Sequence, residues 1–286
     1  MLEPTETLNS DLLSEALRHG VPTLPFVANH DFPVPDALRN AVMLLGNFDG
    51  IHLGHAGLLK RARHAAEARE LPLGIMSCEP HPRQFLAPHG DPFRLSSMAG
   101  KRLSFANQGI DLLYQPAFDA AMASRSPQSF VAEVLVDYLG ISSVVVGRDF
   151  RFGHKRAGDV PALTALGRSL GFSVEVVDDI KLDCERLSST RIRAWIAAGD
   201  IRRATGALCG SWLTSVSITE DGYVLFESHQ LLPPPGAYQV GLVDRGGTPL
   251  GFEIVTLTDT RHAHLATNRV PAGSYLVTDW RSADFS

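Results

Sequence analysis

The chain has 286 residues, of which 44% are hydrophobic and 20% are charged, and its formal net charge is −5. This composition is typical of a soluble globular protein, and the length suits two unequal domains better than one. The acidic balance excludes a global electrostatic attraction to nucleic acid or to an anionic membrane, and we therefore expect neither as a partner.

The cysteines and the N-terminus bear on the cellular compartment. The three cysteines form no C-x-x-C pair, which indicates neither a zinc site nor a disulfide framework and fits a reducing environment. The first residues lack the basic start and apolar core of a signal peptide, and no apolar run approaches the roughly 20 residues needed to cross a bilayer. We therefore expect a cytoplasmic protein without a membrane-spanning segment.

Short apolar runs alternate with helical patterns over the first two thirds of the chain. The segment 54–70, for example, places its apolar side chains on one helical face and its charged ones largely elsewhere. Such alternation predicts a parallel sheet with right-handed crossovers, whose ligands bind beyond the carboxyl ends of the strands. The predicted buried strands are residues 42–45, 73–76, 111–114, 143–146 and 172–177, and the predicted helices are residues 54–70, 127–139 and 161–170.

The sequence GNFDGIHLGH at residues 46–55 follows the first of these predicted strands. Its three glycines allow the backbone to approach a ligand closely, and the helix that follows offers unpaired N–H groups and the positive end of its dipole to an anion. His52 and His55 add two donors at the same place. A single histidine near a turn is more often a surface or capping residue, but the H-x-G-H spacing after a strand is far more specific. The motif predicts a phosphate site.

Three more clusters follow predicted strands or begin a predicted helix. The sequence EPHP at residues 79–82 is by itself a weak signal, because two prolines simply stiffen a loop. The sequence VGRDFRFG at residues 146–153 combines charged and aromatic side chains, although a solvated loop explains it equally well. The sequence RLSSTRIR at residues 186–193 suits a helix N-cap, its commonest role, and also an anion clamp, since arginine offers a planar fork to phosphate oxygens.

After about residue 210 the pattern changes to short segments of β character. Turn signals at residues 220–222 and 245–247 separate them, which predicts a small antiparallel β module. The predicted strands are residues 213–219, 222–226, 237–243 and 252–258. We expect the tail, residues 278–286, to be loosely held, as chain ends usually are.

Together, the four motifs resemble, in the same order, those of the bacterial bifunctional riboflavin kinase/FAD synthetase family, specifically its N-terminal FMN adenylyltransferase module. The resemblance runs from about residue 42 to residue 208. It implies a Rossmann-like α/β nucleotidylyltransferase domain of the HxGH class, in which the FMN phosphate attacks the α-phosphate of ATP to give FAD and pyrophosphate. The chain would then divide into an N-terminal extension (1–40), this domain (41–208) and the β module (209–286).

The resemblance also implies roles for individual residues. Such a transfer depends on aligning the nucleophile with the leaving group and on neutralising charge, which the side chains of the four motifs can do. Mg²⁺ is expected to bridge the phosphates through substrate oxygens, with no protein ligand named. The implied catalytic residues are Asn47, His52, His55 and Arg193; those binding ATP and its phosphates are Gly46, Phe48, Asp49, Gly54, Arg186, Ser189 and Thr190; those contacting the flavin are Pro80, Pro82, Phe130, Asp149 and Phe152.

The chain departs from the family pattern in two places. Full-length relatives carry a riboflavin kinase barrel with a G-x-P-T-A-N turn, and no such segment follows Leu208. We therefore expect the β module to be a shortened relic of that barrel, without kinase activity, which serves a structural role or joins copies of the chain into an oligomer. Cys78 also stands where the family usually has phenylalanine, and Leu44-Leu45 stands where it usually has Thr-Ile. Either replacement can alter the flavin pocket.

Two alternatives stay open from the sequence. The first is a specialised nucleotidylyltransferase that uses another nucleoside triphosphate or a modified flavin. The second is a non-catalytic regulator that binds flavin or nucleotide. The complete set of His52, His55, Ser189, Thr190 and Arg193 argues against the regulator, because a pure binder has less need of groups that stabilise a transition state.

Overall fold

Six parallel strands form the sheet of the first domain in the computed structural model, which describes residues 23–178, 181–182, 185–259, 262–267 and 270–283. The spatial order of the strands is β1-β4-β3-β2-β5-β6, and every neighbouring pair is parallel. The strands are β1 (Phe26–Ala28), β2 (Val42–Leu44), β3 (Leu73–Met76), β4 (Leu112–Tyr114), β5 (Ser143–Gly147) and β6 (Ser173–Val177). The predicted Rossmann-like parallel sheet is confirmed.

Helices cover both faces of this sheet, as parallel pairing requires. The helix α1 buries Leu59, Ala62, Ala65 and Ala66 against it, which is the face that the sequence pattern predicts. The helices are α1 (Leu53–Glu67), α2 (Pro82–Leu86), α3 (Met98–Asn107), α4 (Ala120–Ser124), α5 (Pro127–Ser129, continuing as a π-helix, Phe130–Tyr138), α6 (Val160–Leu170), α7 (Ser189–Ala197) and α8 (Ile201–Gly206). Short 3₁₀ turns occur at Asp36–Leu38 and His154–Arg156.

Two features of the sheet differ from the expectation. The segment assigned as an N-terminal extension contributes β1, which pairs with β4 at one edge. The strand β6 is partly exposed, whereas a buried strand is predicted there, and that part of the prediction is wrong. The reason is that β6 lies at the other edge of the sheet and has only β5 as a neighbour, so fewer elements cover it.

The second domain is a closed antiparallel barrel, which confirms the predicted antiparallel β module. Its strands follow the order β10-β13-β12-β11-β14-β9 around the barrel. They are β9 (Thr214–Ile218), β10 (Tyr223–Phe226), β11 (Gly236–Val243), β12 (Pro249–Leu257), β13 (His262–Leu265) and β14 (Gly273–Ser282), and a separate hairpin, β7 (Lys181–Leu182) with β8 (Glu185–Arg186), precedes α7.

The strands β13 and β14 are additional to the four predicted ones. The expectation of a loose tail is wrong as far as Ser282, because β14 pairs with both β11 and β9 and closes the barrel. Residues 284–286 of that predicted tail lie outside the described residues. Closure explains the difference, since a barrel needs its last strand to satisfy both edges of the sheet.

The two domains meet along a short segment of the first domain, residues 93–96. The backbone N–H groups of Phe93 and Arg94 donate to the carbonyl of His229, and the side-chain amide of Gln230 donates to the carbonyl of Arg94 at 2.8 Å. The indole of Trp212, at the start of the barrel, donates to the carbonyl of Leu95 at 2.7 Å. This segment also contacts the candidate site, so the barrel is connected to that site directly.

Candidate active site

The glycine-rich turn follows β2 at the carboxyl edge of the sheet and leads into α1. Phe48 and Gly50 both adopt positive φ angles, 43° and 74°, which makes the turn sharp. A Cβ atom on Gly46 would lie 2.9 Å from the Phe48 ring, so the turn has no room for a side chain at residue 46. The ring of Phe48 is buried and fixes the turn on the core beneath it.

The two predicted histidines form a pair at the N-terminus of α1. His52 is the N-cap residue and is buried, and its ring stacks on that of His55 with the centroids 3.7 Å apart. The backbone N–H of His52 donates to Nδ1 of His55 at 3.5 Å, and the edge of Phe48 contacts His55. Two imidazoles therefore sit at the positive end of a helix dipole, where an anion is stabilised.

The helix α7 brings the Ser-Thr-Arg cluster to this turn. The side chain of Ser188 caps the helix by accepting from the N–H of Arg191, as predicted. The hydroxyl of Ser189 donates to the backbone carbonyl of Asp49 at 3.1 Å. A Cβ atom on Gly54 would lie 2.7 Å from the carbonyl oxygen of Leu187, which shows how closely the two segments pack. Two motifs about 140 residues apart in sequence are thus in direct contact.

Asp49 belongs to the glycine-rich turn, is only 3% exposed and is the residue of that turn that α7 contacts. Its carboxylate accepts from the backbone N–H groups of Leu95 and Ser96 and, at 2.7 Å, from the guanidinium of Arg193. Burial acts to raise the pKa of Asp49, but the charges of Lys101 and Arg193 outweigh it and hold the pKa below its usual value. A direct contact of Asp49 with phosphate stays a prediction, and its observed contacts are with protein groups.

Arg193 is held from two sides. Its Nε donates to the carbonyl of Phe93 at 2.7 Å while another nitrogen of the guanidinium binds Asp49, and its side chain is 18% exposed. Thr190 is exposed on the first turn of α7. The side chain of the predicted phosphate ligand Arg186 lies outside the described residues.

Sequence reasoning missed Lys101, on α3. Its ammonium donates to the carbonyl of Asn47 and to the hydroxyl of Ser77, both at 3.0 Å. Burial lowers the pKa of Lys101 to about 8, against the opposing charge of Asp49. A lysine inside a helix usually faces solvent, and no local pattern marks this one as buried.

The EPHP loop lies against the same segment, residues 93–96. Glu79 forms a two-pronged ion pair with the buried Arg94, at 2.5 and 2.8 Å. His81 caps α2 by accepting from the N–H of Arg83, its ring edge contacts Phe93, and burial lowers its pKa to about 4. The predicted flavin residues Pro80 and Pro82 are half-buried on this loop.

The other predicted flavin residues lie elsewhere. Phe130 and Phe152 pack together with their ring centroids 5.8 Å apart, and both are buried in a hydrophobic cluster separate from the one that holds Phe48. Asp149 is exposed in the turn after β5. The structure therefore brings together the histidine turn (residues 46–55) and α7 (the arginine helix, Ser189–Ala197). Phe130 and Phe152 lie in a different hydrophobic cluster, and their contact with flavin stays a prediction.

Metal-binding clusters and membrane-spanning helices are both absent from the described residues. No group of three or more His, Cys, Asp or Glu side chains that could hold a metal ion occurs among them. In the same part of the chain, no helix is both long enough and apolar enough to span a bilayer.

Comparisons with known proteins agree with the motifs. Residues 34–191 match the family model described as FAD synthetase. A bifunctional riboflavin kinase/FMN adenylyltransferase of Pseudomonas fluorescens is 39% identical over 162 residues, which are 57% of this chain and 52% of that protein. The protein of the same name from Escherichia coli K12 is 31% identical over 222 residues, which are 74% of this chain and 71% of that protein.

Among solved structures, one described as a macrolide-efflux protein from Streptococcus pneumoniae has the same fold. It superposes with a TM-score of 0.71 at 22% identity, covering 91% of this chain and 98% of that one. The chain spans about half the length of the first curated relatives, 52% and 56%. The family model covers more than half of the chain, and the chain therefore belongs to the FAD synthetase family.

Proposed function

We propose that this chain is an FMN adenylyltransferase, which transfers AMP from ATP to FMN to give FAD and pyrophosphate. The observation that supports it best is the direct contact between the histidine turn and the arginine helix, through Ser189 and Arg193 on Asp49. Family membership and the printed names of the relatives support it as well.

In this reaction a phosphate oxygen of FMN attacks the α-phosphorus of ATP, and the bond from that phosphorus to the bridging oxygen breaks as pyrophosphate leaves. Negative charge then accumulates on the α-phosphate and on the leaving group. The paired imidazoles of His52 and His55, at the positive end of α1, suit the stabilisation of that charge. We assign them this role.

The other side of the proposed triphosphate site is the start of α7. Asp49 and the Phe93 carbonyl fix the orientation of the Arg193 guanidinium, and we assign its remaining N–H groups to the β- and γ-phosphates. Ser189, Thr190 and Arg186 complete that side. The histidine turn forms the side of the site that faces α7, and its shape depends on Gly46, Asn47, Phe48 and Gly54. Mg²⁺ would enter bound to the triphosphate, since it commonly binds through substrate oxygens.

The flavin side of the proposal involves two separate groups of residues. Pro80 and Pro82 present flat, half-buried surfaces beside the turn and suit an isoalloxazine ring. Phe130, Phe152 and Asp149 are proposed as supports of the same ring, and the burial of both phenylalanines implies that they act from beneath the surface.

One incubation tests the central proposal. Purified protein with FMN, ATP and Mg²⁺ should produce FAD and pyrophosphate, measured by chromatography. Parallel reactions with the other nucleoside triphosphates and with modified flavins test the alternative of a specialised enzyme. Binding of ATP and FMN without any transferred AMP would instead support a regulator.

We also propose that the chain does not phosphorylate riboflavin, because the G-x-P-T-A-N segment is missing from residues 209–286. Riboflavin, ATP and Mg²⁺ should therefore yield no FMN with the purified chain, and FMN formation would overturn this. We further propose that copies of the chain associate through the barrel. Sedimentation of the full chain tests whether it forms an oligomer.

A further inference from the structure

Lys101 lies beneath the turn that the proposed function assigns to the triphosphate. It is on α3, is only 1% exposed, and its ammonium contacts the carbonyl of Asn47 and the hydroxyl of Ser77. The Ser77 hydroxyl in turn donates to the same Asn47 carbonyl at 2.9 Å. Asn47 follows β2 and Ser77 follows β3, so the lysine joins the ends of two neighbouring strands.

An ammonium in this position is costly. Desolvating a charged group is unfavourable, and an apolar side chain of similar volume would avoid that cost. The groups that act electrostatically on Lys101 include both signs, and the largest compensation comes from the buried carboxylate of Asp49. The charged or titratable groups coupled to Lys101 are Asp49, Cys78, Glu79, His81 and Arg94. A purely structural contact would not require a charge here.

The geometry of one peptide explains what the charge can do. The bond between Asn47 and Phe48 is trans, and in a planar trans peptide the C=O and N–H groups point in opposite directions. Lys101 and Ser77 hold the Asn47 carbonyl toward the interior. The N–H of Phe48 is therefore directed away from the buried ammonium and from the Ser77 hydroxyl.

The backbone of the turn needs such support. Phe48 has a φ of 43°, a left-handed conformation that costs a non-glycine residue free energy. Fixing the preceding carbonyl with two donors holds this conformation in place. The same ammonium also raises the electrostatic potential at the turn, where the proposed function places the triphosphate.

We propose that Lys101 is a positioning residue that, with Ser77, holds the Asn47 carbonyl inward and so directs the Phe48 N–H and a positive potential toward the triphosphate of ATP. This inference rests on the proposed function, since it takes ATP as the anion of this turn. Lys101 does not touch the substrate and acts through the backbone of the turn.

The test compares Lys101→Met with the wild type and with Lys60→Met, which removes the same charge from an exposed position on α1. Binding of MgATP is measured by calorimetry, and FAD formation by chromatography, from pH 7 to pH 9.5. We expect Lys101→Met to weaken MgATP binding about tenfold or more at pH 7, in line with losing a bond to a charged group. Lys60→Met should bind like the wild type.

The pH profile separates positioning from a merely structural role. Because the pKa of Lys101 is about 8, wild-type affinity should fall as the pH rises through that value, whereas Lys101→Met should lack this step. The folded pKa lies below the usual 10.5, so the unfolded chain binds more protons between these values. The wild type's free energy of unfolding should therefore rise from about pH 8 to 10.5 relative to Lys101→Met.

If Lys101→Met does not fold, Ser77→Ala decides. It removes one donor to Asn47 and one partner of the ammonium, and it should weaken MgATP binding about two- to tenfold and move the step in affinity to lower pH. Wild-type affinity in these variants, or a flat wild-type profile, would overturn the inference. A wild type that binds MgATP but forms no FAD would refute the proposed function alone, and one that does neither would refute both.

Discussion

The two domains bury different kinds of side chain at two places: charged groups at the candidate site and aromatic rings inside the barrel. In and beneath the turn of the first domain, three charged side chains are almost fully buried: Asp49, Arg94 and Lys101. The interior of the barrel instead contains a cluster of aromatic rings around Trp280, which contacts Trp212, Phe226 and Tyr238. The region beneath the site keeps charges in fixed orientations at a cost in stability, whereas the aromatic cluster of the barrel, like the apolar core of the first domain, gains stability by packing.

The difference indicates that the first domain supplies the charged groups of the site and that the barrel supports them. Residues 93–96 connect the two domains. This segment receives hydrogen bonds from the barrel through Trp212 and Gln230, and it donates two N–H groups to Asp49 and offers a carbonyl to Arg193. A rigid barrel can therefore hold a charged site in place without contributing a side chain to it. Three substitutions test this comparison.

The largest effect is expected in the barrel. Trp280→Ala removes a ring that is 2% exposed and should lower the free energy of unfolding by about 3–5 kcal/mol, the range for a large buried aromatic residue. Adenylyl transfer per folded molecule, measured well below the melting temperature, should stay close to that of the wild type. Urea denaturation supplies the stability measurement.

The matched control for Trp280→Ala is Phe252→Ala, which truncates an aromatic ring on the barrel that is 65% exposed. It should change stability by less than about 0.5 kcal/mol. If Trp280→Ala instead abolished turnover in molecules that remain folded, the barrel would have a role in the chemistry and the comparison would break.

The reverse behaviour is expected for the histidine pair. His55→Ala should lower the rate of the proposed adenylyl transfer about a hundredfold, typical of losing one charge-stabilising group, which is about 2.7 kcal/mol of activation free energy. Its free energy of unfolding should fall by no more than about 1 kcal/mol, since the His55 side chain contributes to the fold as part of a helix cap. Steady-state turnover of FMN and ATP is the measurement.

His64→Ala, on an exposed position of the same helix, is the control and should leave turnover unchanged. Turnover of His55→Ala within about twofold of the wild type would contradict the assigned role. A large loss of stability in that variant would show that the first domain does not separate chemistry from packing.

The smallest effect concerns the contact between the two motifs. Gly54→Ala would place a methyl group 2.7 Å from the Leu187 carbonyl and 2.8 Å from Nδ1 of His52, which would push α1 away from α7 and displace the His52 ring, at a cost of about 1–3 kcal/mol. MgATP binding should weaken at the same time, because the two sides of the site move apart. Calorimetry and urea denaturation on the same preparation measure both.

Gly206→Ala offers the comparison for that change, since no atom lies within 4 Å of its Cβ position on α8. Its stability should stay the same or rise by up to about 1 kcal/mol. Normal MgATP affinity in Gly54→Ala would mean that the spacing of the two motifs does not govern binding.

Much of the fold follows from local patterns. The predicted strand at residues 73–76 is observed over the same residues, and the helix that begins at Leu53 buries the predicted face. The spacing of apolar residues and the positions of turn-forming residues determine such elements, and both can be read from the sequence. The strands β1, β13 and β14 were missed, because each is defined by its partner strands: β4 for β1, and the neighbouring barrel strands for the other two.

For the candidate site, too, the sequence indicates the residue types, and the structure shows their contacts. The residue types of the histidine turn and of the arginine helix are enough to indicate phosphate chemistry. Asp49 was expected to bind phosphate directly, and only the structure shows its hydrogen bonds to Leu95, Ser96 and Arg193. That role of Asp49 stays a prediction beside the observed contacts.

By itself, the sequence determined which short segments carry the residue types of a phosphate site, the start of the helix at Leu53 to within one residue, and where the parallel pattern gives way to an antiparallel one. Only the tertiary structure decided that Arg193 pairs with an aspartate 144 residues away and that Lys101 is buried under Asn47. The physical reason is that turns and helix caps depend on neighbouring residues, whereas the burial of a charge depends on every element packed around it.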